Sequence, residues 1–159
     1  MLSDTMIFVN NLNNYPFLNL IDHSQDGGIR RFIIKFSEEK CDPKYFDQFI
    51  KPDNWERFAS RRKVEYAATR LSLMVALKEH YGVEVDGVIN DEDRSPIWPE
   101  GIMGSISHSK DHVFIALSDN KKLAGIGIDI ERLDRARQLS RITLVLFPKR
   151  VGLLQGTWP

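Results

Sequence analysis

The chain has a single cysteine, Cys41, in 159 residues, so no intrachain disulfide and no multi-cysteine zinc site can form. That fits a reducing compartment. Charge bias is missing as well: 22 Lys and Arg balance 22 Asp and Glu, for a formal net charge of +0. Such a balance gives no global attraction to nucleic acid or to an anionic membrane, so any basic function must sit in a local cluster. Long apolar runs are absent too. The run from Leu144 to Pro148 falls far short of the roughly 18 apolar residues a membrane span needs. The opening, MLSDTMIFVNNLNNYPF, lacks the basic region and long apolar stretch of a secretory signal. There are no repeats and no low-complexity tracts. With 42% hydrophobic and 28% charged residues, the chain reads as one ordinary globular domain of the cytoplasm.

What is present begins with local patterns. Residues 6–9 (MIFV) and 29–36 (IRRFIIKF) predict short strands, separated by a turn-rich stretch that includes Asp26-Gly27-Gly28. Asp42-Pro43 can cap and open a short helical piece reaching about Ile50. Pro52-Asp53-Asn54 then starts a long helix that runs to about Tyr81 and ends at Gly82, a suitable C′ glycine. Along it Ala67, Leu71, Met74, Leu77 or Lys78, and Tyr81 recur at spacings of three and four, an amphipathic stripe. After a loop rich in Asp, Glu and Pro, strands are predicted at about 102–107, 113–118 and 124–131. Hairpin-length links join them, which predicts an antiparallel meander. The expected fold class is α+β, with the long helix packed on that meander.

Three clusters carry chemistry. On the last strand Ile126, Ile128 and Ile130 share one face, while Gly125, Gly127, Asp129 and Glu131 share the other. The two carboxylates then lie roughly 6–7 Å apart along a strip left bare by glycine. Such a strip suits a hard cation that also holds phosphate oxygens, as magnesium does; an edge strand with solvated acids has the same pattern. The second cluster, SRRKVEYAATR at residues 60–70, opens the long helix. Lys63 and Arg70, two turns apart, lie on nearly the same face, with Arg62 one step round. These residues can form a phosphate clamp or simply a solvated basic face. The third cluster is Ser105-Ile106-Ser107-His108-Ser109, where His108 could donate to a phosphate or be structural. It is not a nucleophile elbow, which needs Gly-x-Ser-x-Gly.

The pieces RRKVEYAATR (61–70), RSPIWPEG (94–101), GSISHS (104–109) and GIGIDIE (125–131) stand in a telling order. Together they resemble a 4′-phosphopantetheinyl transferase of the siderophore-synthase type, the group that primes enterobactin-like assembly lines. The resemblance is clear from about residue 55 to 131 and weak before that. It implies the first half of a two-half fold and a magnesium-dependent transfer of the 4′-phosphopantetheine arm. The donor would be coenzyme A and the acceptor a serine of an apo acyl, peptidyl or aryl carrier protein, in siderophore or related non-ribosomal peptide biosynthesis. Asp129 and Glu131 would be the magnesium ligands and, with His108, the catalytic set. His108 would contact the pyrophosphate, and Ser107 would be among the residues that bind coenzyme A. Arg62, Lys63 and Arg70 would bind the phosphates of the nucleotide half, including the ribose 3′-phosphate. Arg94 and Pro96 would lie near the adenine.

The chain also departs from that pattern. Thr69 stands where the family usually has glycine, and Ala67 where leucine is common. After Glu131 no Lys-Glu-x-x-x-Lys helix is found, although the family's second half carries one with a third carboxylate and a lysine. The expected organisation is therefore an N-terminal transferase half at residues 1–131. Residues 132–159 would be a linker and incomplete start of the second half, without helical or strand patterning, as in a truncated or frame-shifted product. A missing half would leave an apolar face exposed, which predicts a homodimer through that face or an aggregation-prone monomer, with very weak or no turnover. The alternative reading is a catalytically impaired remnant that only binds coenzyme A or the carrier protein. A magnesium-dependent phosphohydrolase of unrelated type does not explain four ordered motifs.

Overall fold

The computed structural model describes residues 3–132, 140–148 and 154–158, and side chains only between residues 3 and 129, residue 4 excepted. The elements are α1 (Asp4–Leu12), β1 (Leu18–Asp26), β2 (Ile29–Phe36), 3-10 turns at Pro43–Gln48 and Trp55–Arg57, and α2 (Ser60–Tyr81). Then follow β3 (Met103–Ser109), β4 (His112–Ser118), β5 (Leu123–Arg132), β6 (Ser140–Pro148) and β7 (Leu154–Trp158). An antiparallel sheet runs in the order β1-β2-β4-β3, and a second in the order β5-β6-β7. The α+β class is as expected.

Alternation along the central strands decides what each sheet face meets. Phe32, Ile34 and Phe36 of β2 and Val113, Ile115 and Leu117 of β4 point into the main core, shared with α2 and α1. Ile33 and Phe114 point to the opposite face, where Ile128 of β5 packs on them. The four-stranded sheet thus has α2 on one side and β5 on the other. A stripe of apolar residues would bury one helix face, yet every residue of α2 from Tyr66 to Leu73 is buried, polar Thr69, Arg70 and Ser72 included. Gly82 ends α2 at φ 66°, and its N–H closes onto the carbonyls of Leu77 and Lys78.

Several expectations are corrected. Residues 6–9 are helix, not strand: Ser3 caps α1 by accepting from the Met6 N–H, and Phe8 and Leu12, one turn apart, are 0% and 1% exposed. A four-residue apolar run has no period that separates helix from strand, so only the cap and Leu12 distinguish them. The stretch before Gly27 is the edge strand β1, whose polar sequence LNLIDHSQD hides it. Gly27 and Gly28, at φ 59° and 76°, supply the hairpin turn into β2. The helix opened by Pro52 is broken: Phe58 and Ala59 are extended, and α2 starts at Ser60. β5 does not continue the meander of β3 and β4 but opens the second sheet. Residues 140–148 and 154–158, expected to lack pattern, pair as strands with β5 and with each other. In residues 144–147 a continuous apolar run (LVLF) hides the period of two, and the pairing supplies the register.

β3 is held against the rest by a close fit at Gly104. A Cβ built there would lie 2.6 Å from the Trp98 ring and 2.8 Å from Leu117. Trp98 closes the loop that follows α2, so this contact sets where that loop lies. Gly104→Ala should therefore displace Trp98 and destabilise the protein by about 1–3 kcal/mol, the usual cost of overpacking. Thermal unfolding checks this: an unchanged midpoint would show that Trp98 yields without cost.

Candidate functional site

The middle of α2, the loop after it and the end of β3 enclose a cleft of about 610 Å³, within the range of small-molecule sites. Arg62, Tyr66 and Arg70 come from one face of α2 at helical spacing. Asn90, Arg94 and Pro96 come from the loop, and Ile106 and His108 from β3. The loop is built to present its residues. A bridge pairs Asn90 with Pro96, the Ser95 carbonyl accepts from the Asp91 N–H at 2.8 Å, and Asp93 accepts from the Ser95 N–H at 2.9 Å. Arg94 takes the left-handed conformation, φ 69°, at the tip.

Arg70 is the cleft's unusual group. It is 4% exposed, its guanidinium carbon sits 4.4 Å from the centroid of the Tyr66 ring, and Nη2 donates to Asn90 Oδ1 at 2.9 Å. Its Nε is buried with no hydrogen-bond partner among the described residues. No carboxylate among the described residues pairs with it. A cation removed from water without a counter-charge is costly, and a bound anion relieves the cost.

Arg62 lies at the cleft mouth, 5.5 Å from the Phe58 ring centroid, and donates to Glu65 Oε1. Its Nη1 also reaches His108 Nε2 at 3.4 Å, and the same Nε2 is 3.5 Å from Glu65 Oε1. Burial and the Arg62 charge, with Arg70 adding in the same direction, hold His108 below its ordinary 6.5. A backbone hydrogen bond at His108 pulls the other way. Burial and the neighbouring Arg70 likewise lower Arg62. A His with a lowered folded value stabilises the protein above 6.5 and loses that contribution as pH falls through the folded value. With 40% of the side chain exposed, solvent screening keeps the effect small.

The other residues singled out from sequence lie around this cleft rather than in it. Lys63 turns away: its ammonium is 3.6 Å from Glu56 and 5.4 Å from the Trp55 ring centroid. Ser107 lies beside His108 on β3 but faces the other side of the sheet, where its Oγ donates to Asp129 Oδ1 at 3.2 Å. Ser105, on the same side, accepts from the Ile128 N–H at 3.2 Å. Asp129 is exposed, and the side chain of Glu131 lies outside the described residues. His108 and Asp129 therefore flank β3, which is the edge strand of its sheet. A ligand touching both must wrap that edge.

Sequence reasoning missed Glu65, Tyr66 and Asn90. The first two stand three and four residues after Arg62, a spacing that marks them as its helical neighbours. Asn90 gave no signal, because only the loop's fold brings it to Arg70.

The geometry predicts an inverted stability effect. Arg70→Met keeps most of the packing and removes an uncompensated charge, while exposed Asn90 returns to water. Stability should be unchanged or rise by about 1–4 kcal/mol, and anion binding should be lost. Denaturant unfolding reads the first and calorimetry the second. A stability loss above about 3 kcal/mol would make Arg70 a structural residue.

Residues 52–118 match the 4′-phosphopantetheinyl transferase N-terminal domain, a span that holds Arg62, Arg70, Arg94 and His108 and ends before Asp129. The chain is similar to enterobactin synthase component D of Salmonella typhi, 37% identical over 73 residues, which is 46% of this chain and 29% of that protein. It is also similar to enterobactin synthase component D of Escherichia coli O157:H7, 35% identical over 83 residues, 52% of this chain and 37% of the relative. The matched stretch thus spans about a third of the length of these relatives. The likeness to the 4′-phosphopantetheinyl transferases of the siderophore type is thus carried by this N-terminal domain and is confined to part of the chain's length.

Proposed function

We propose that the cleft binds coenzyme A by its phosphates, and that the protein transfers the 4′-phosphopantetheine arm to a serine of an apo carrier protein in siderophore or related peptide biosynthesis in the cytoplasm. The observation that carries this is Arg70, a buried guanidinium with an unpartnered Nε in a cleft that Arg62, Arg94 and His108 also line. Several donors around one space suit a ligand with several phosphate groups. Tyr66, Phe58 and Pro96 offer apolar surface beside them for the nucleotide. Among the described residues no helix is long and apolar enough to cross a membrane.

The reaction in this reading moves no redox electrons. The serine Oγ of the carrier protein bonds to the phosphorus bearing pantetheine, the bond from that phosphorus to the bridging oxygen breaks, and adenosine 3′,5′-bisphosphate leaves. The serine proton passes to a base or to water. The work for this chain is positioning and charge neutralisation. Arg62 and Arg70 would hold phosphate oxygens, and His108, neutral near pH 7, could accept a hydrogen bond or, once protonated, donate one.

Magnesium fits the residues present only as a metal delivered with the substrate. No group of three or more His, Cys, Asp or Glu gathers among the described residues. Asp129 offers an exposed carboxylate oriented by Ser107, and Glu131 follows two residues later on β5. One or two carboxylates plus substrate phosphates are what magnesium commonly takes. When bound it would neutralise charge on the pyrophosphate.

Calorimetry tests the reading. Coenzyme A should bind roughly ten- to a hundredfold tighter than its 3′-dephospho form, the value of one charge-assisted contact. Asp129→Ala should abolish the magnesium-dependent part of the affinity and leave the fold intact. Equal affinity for the two ligands, or no magnesium dependence in the wild type, would overturn the coenzyme A reading of the cleft. Transfer from labelled coenzyme A to an apo carrier protein separates the enzyme from a protein that only binds.

A further inference from the structure

Glu65 carries the wrong charge for an anion site, yet it sits at the centre of this one. Its Oε1 accepts from Arg62 Nη1, one turn earlier on α2, and lies 3.5 Å from His108 Nε2 on β3. The side chain is 15% exposed, so bulk water screens its charge only weakly. Arg62 Nη1 reaches His108 Nε2 at 3.4 Å, and a donor there requires that nitrogen to be unprotonated. In this arrangement Arg62 cancels the charge of Glu65, and no counter-charge is left to hold a proton on His108.

An arriving phosphate competes for Arg62, because a guanidinium binds phosphate oxygens in a matched fork. Once Arg62 is drawn to the phosphate, Glu65 becomes a partly buried carboxylate facing an imidazole at 3.5 Å. An opposite charge that close favours the charged form of the histidine. The proton comes from solvent, and the new Nε2–H donates to Glu65 or to the phosphate. We propose that Glu65 is a positioning residue that exchanges partners, releasing Arg62 to the incoming phosphate and stabilising an imidazolium on His108. The proposal rests on reading the cleft as a coenzyme A site.

The surroundings of His108 leave this role to Glu65. From α2, Arg62 and Arg70 oppose its protonation, which a backbone hydrogen bond at His108 itself favours, and the carboxylate that α2 places beside it is Glu65, at 3.5 Å. From the loop, Asp91 and Arg94 line the same cleft with opposite charges. Its partner on β4 is Val113, which does not titrate. Asp129 of β5 is engaged by Ser107 on the other side of the sheet.

The test counts protons. Binding of 3′-dephospho-coenzyme A, whose pyrophosphate stays fully ionised through the neutral range, is measured by calorimetry in buffers of different ionisation enthalpy. The wild type should take up a sizeable fraction of a proton per ligand near neutral pH. Glu65→Gln keeps the shape and an acceptor for Arg62, and should still bind while losing at least half of that uptake. Proton NMR should show the His108 titration of the liganded variant about one unit below that of the liganded wild type. Equal uptake and equal titration in the two proteins would overturn the proposal alone. Absence of uptake in the wild type would do the same without any variant. Failure of the wild type to bind coenzyme A or its dephospho form would overturn the cleft reading together with it.

Discussion

The Arg70 guanidinium is 4% exposed, lies over the Tyr66 ring and spends one N–H on Asn90, with Nε unpartnered among the described residues. Burying a cation this way opposes folding, and α2 tolerates it because the residues around it bury so much apolar surface. Ala67, Ala68, Leu71, Leu73, Ala76 and Leu77 are all 0% exposed. Each large side chain among them contributes on the order of 1.5–3 kcal/mol. Packing of α2 against β2 and β4 thus holds the arginine where solvent alone would not keep it. The stability of the core maintains a site that is electrostatically incomplete without an anion.

The rest of the cleft follows from that fixed point. Asn90 meets Arg70 only because the loop is closed by the Asn90–Pro96 bridge and by Trp98 packed on Gly104. The same closure brings Arg94 and Pro96 over α2. β3 passes the other end of the cleft and divides the chemistry between its two faces, with His108 toward α2 and Ser107 toward Asp129 of β5. The sheet edge is the meeting point of cation cluster and carboxylate.

Much of this was legible in the residues. IRRFIIKF alternates with bulky apolar groups, and it is β2 from end to end. Gly82 stopped the long helix because a left-handed residue was needed there. Arg62 and Arg70 were marked by spacing and charge. What stayed hidden had physical causes. The four apolar residues of α1 fit either period, and β1 is a polar edge strand defined by its partner. The burial of α2 on all sides between Tyr66 and Leu73 depends on tertiary neighbours that no helical wheel contains. Lys63 shares a helix face with Arg70 by angle, but Glu56 and Trp55 at the preceding turn hold its ammonium elsewhere. The paired use of Glu65 by an arginine and a histidine that stand 46 residues apart arises only when β3 lies beside α2.

The central claim is that Arg70 is held ready for a phosphate. Arginine Nε–H resonances report this directly, in nitrogen–proton spectra recorded during titration with coenzyme A, adenosine 3′,5′-bisphosphate and adenosine. The account predicts that the Arg70 Nε–H signal moves downfield with the two phosphorylated ligands and stays in place with adenosine. An Arg70 signal unmoved by saturating coenzyme A, or moved equally by adenosine, would contradict it.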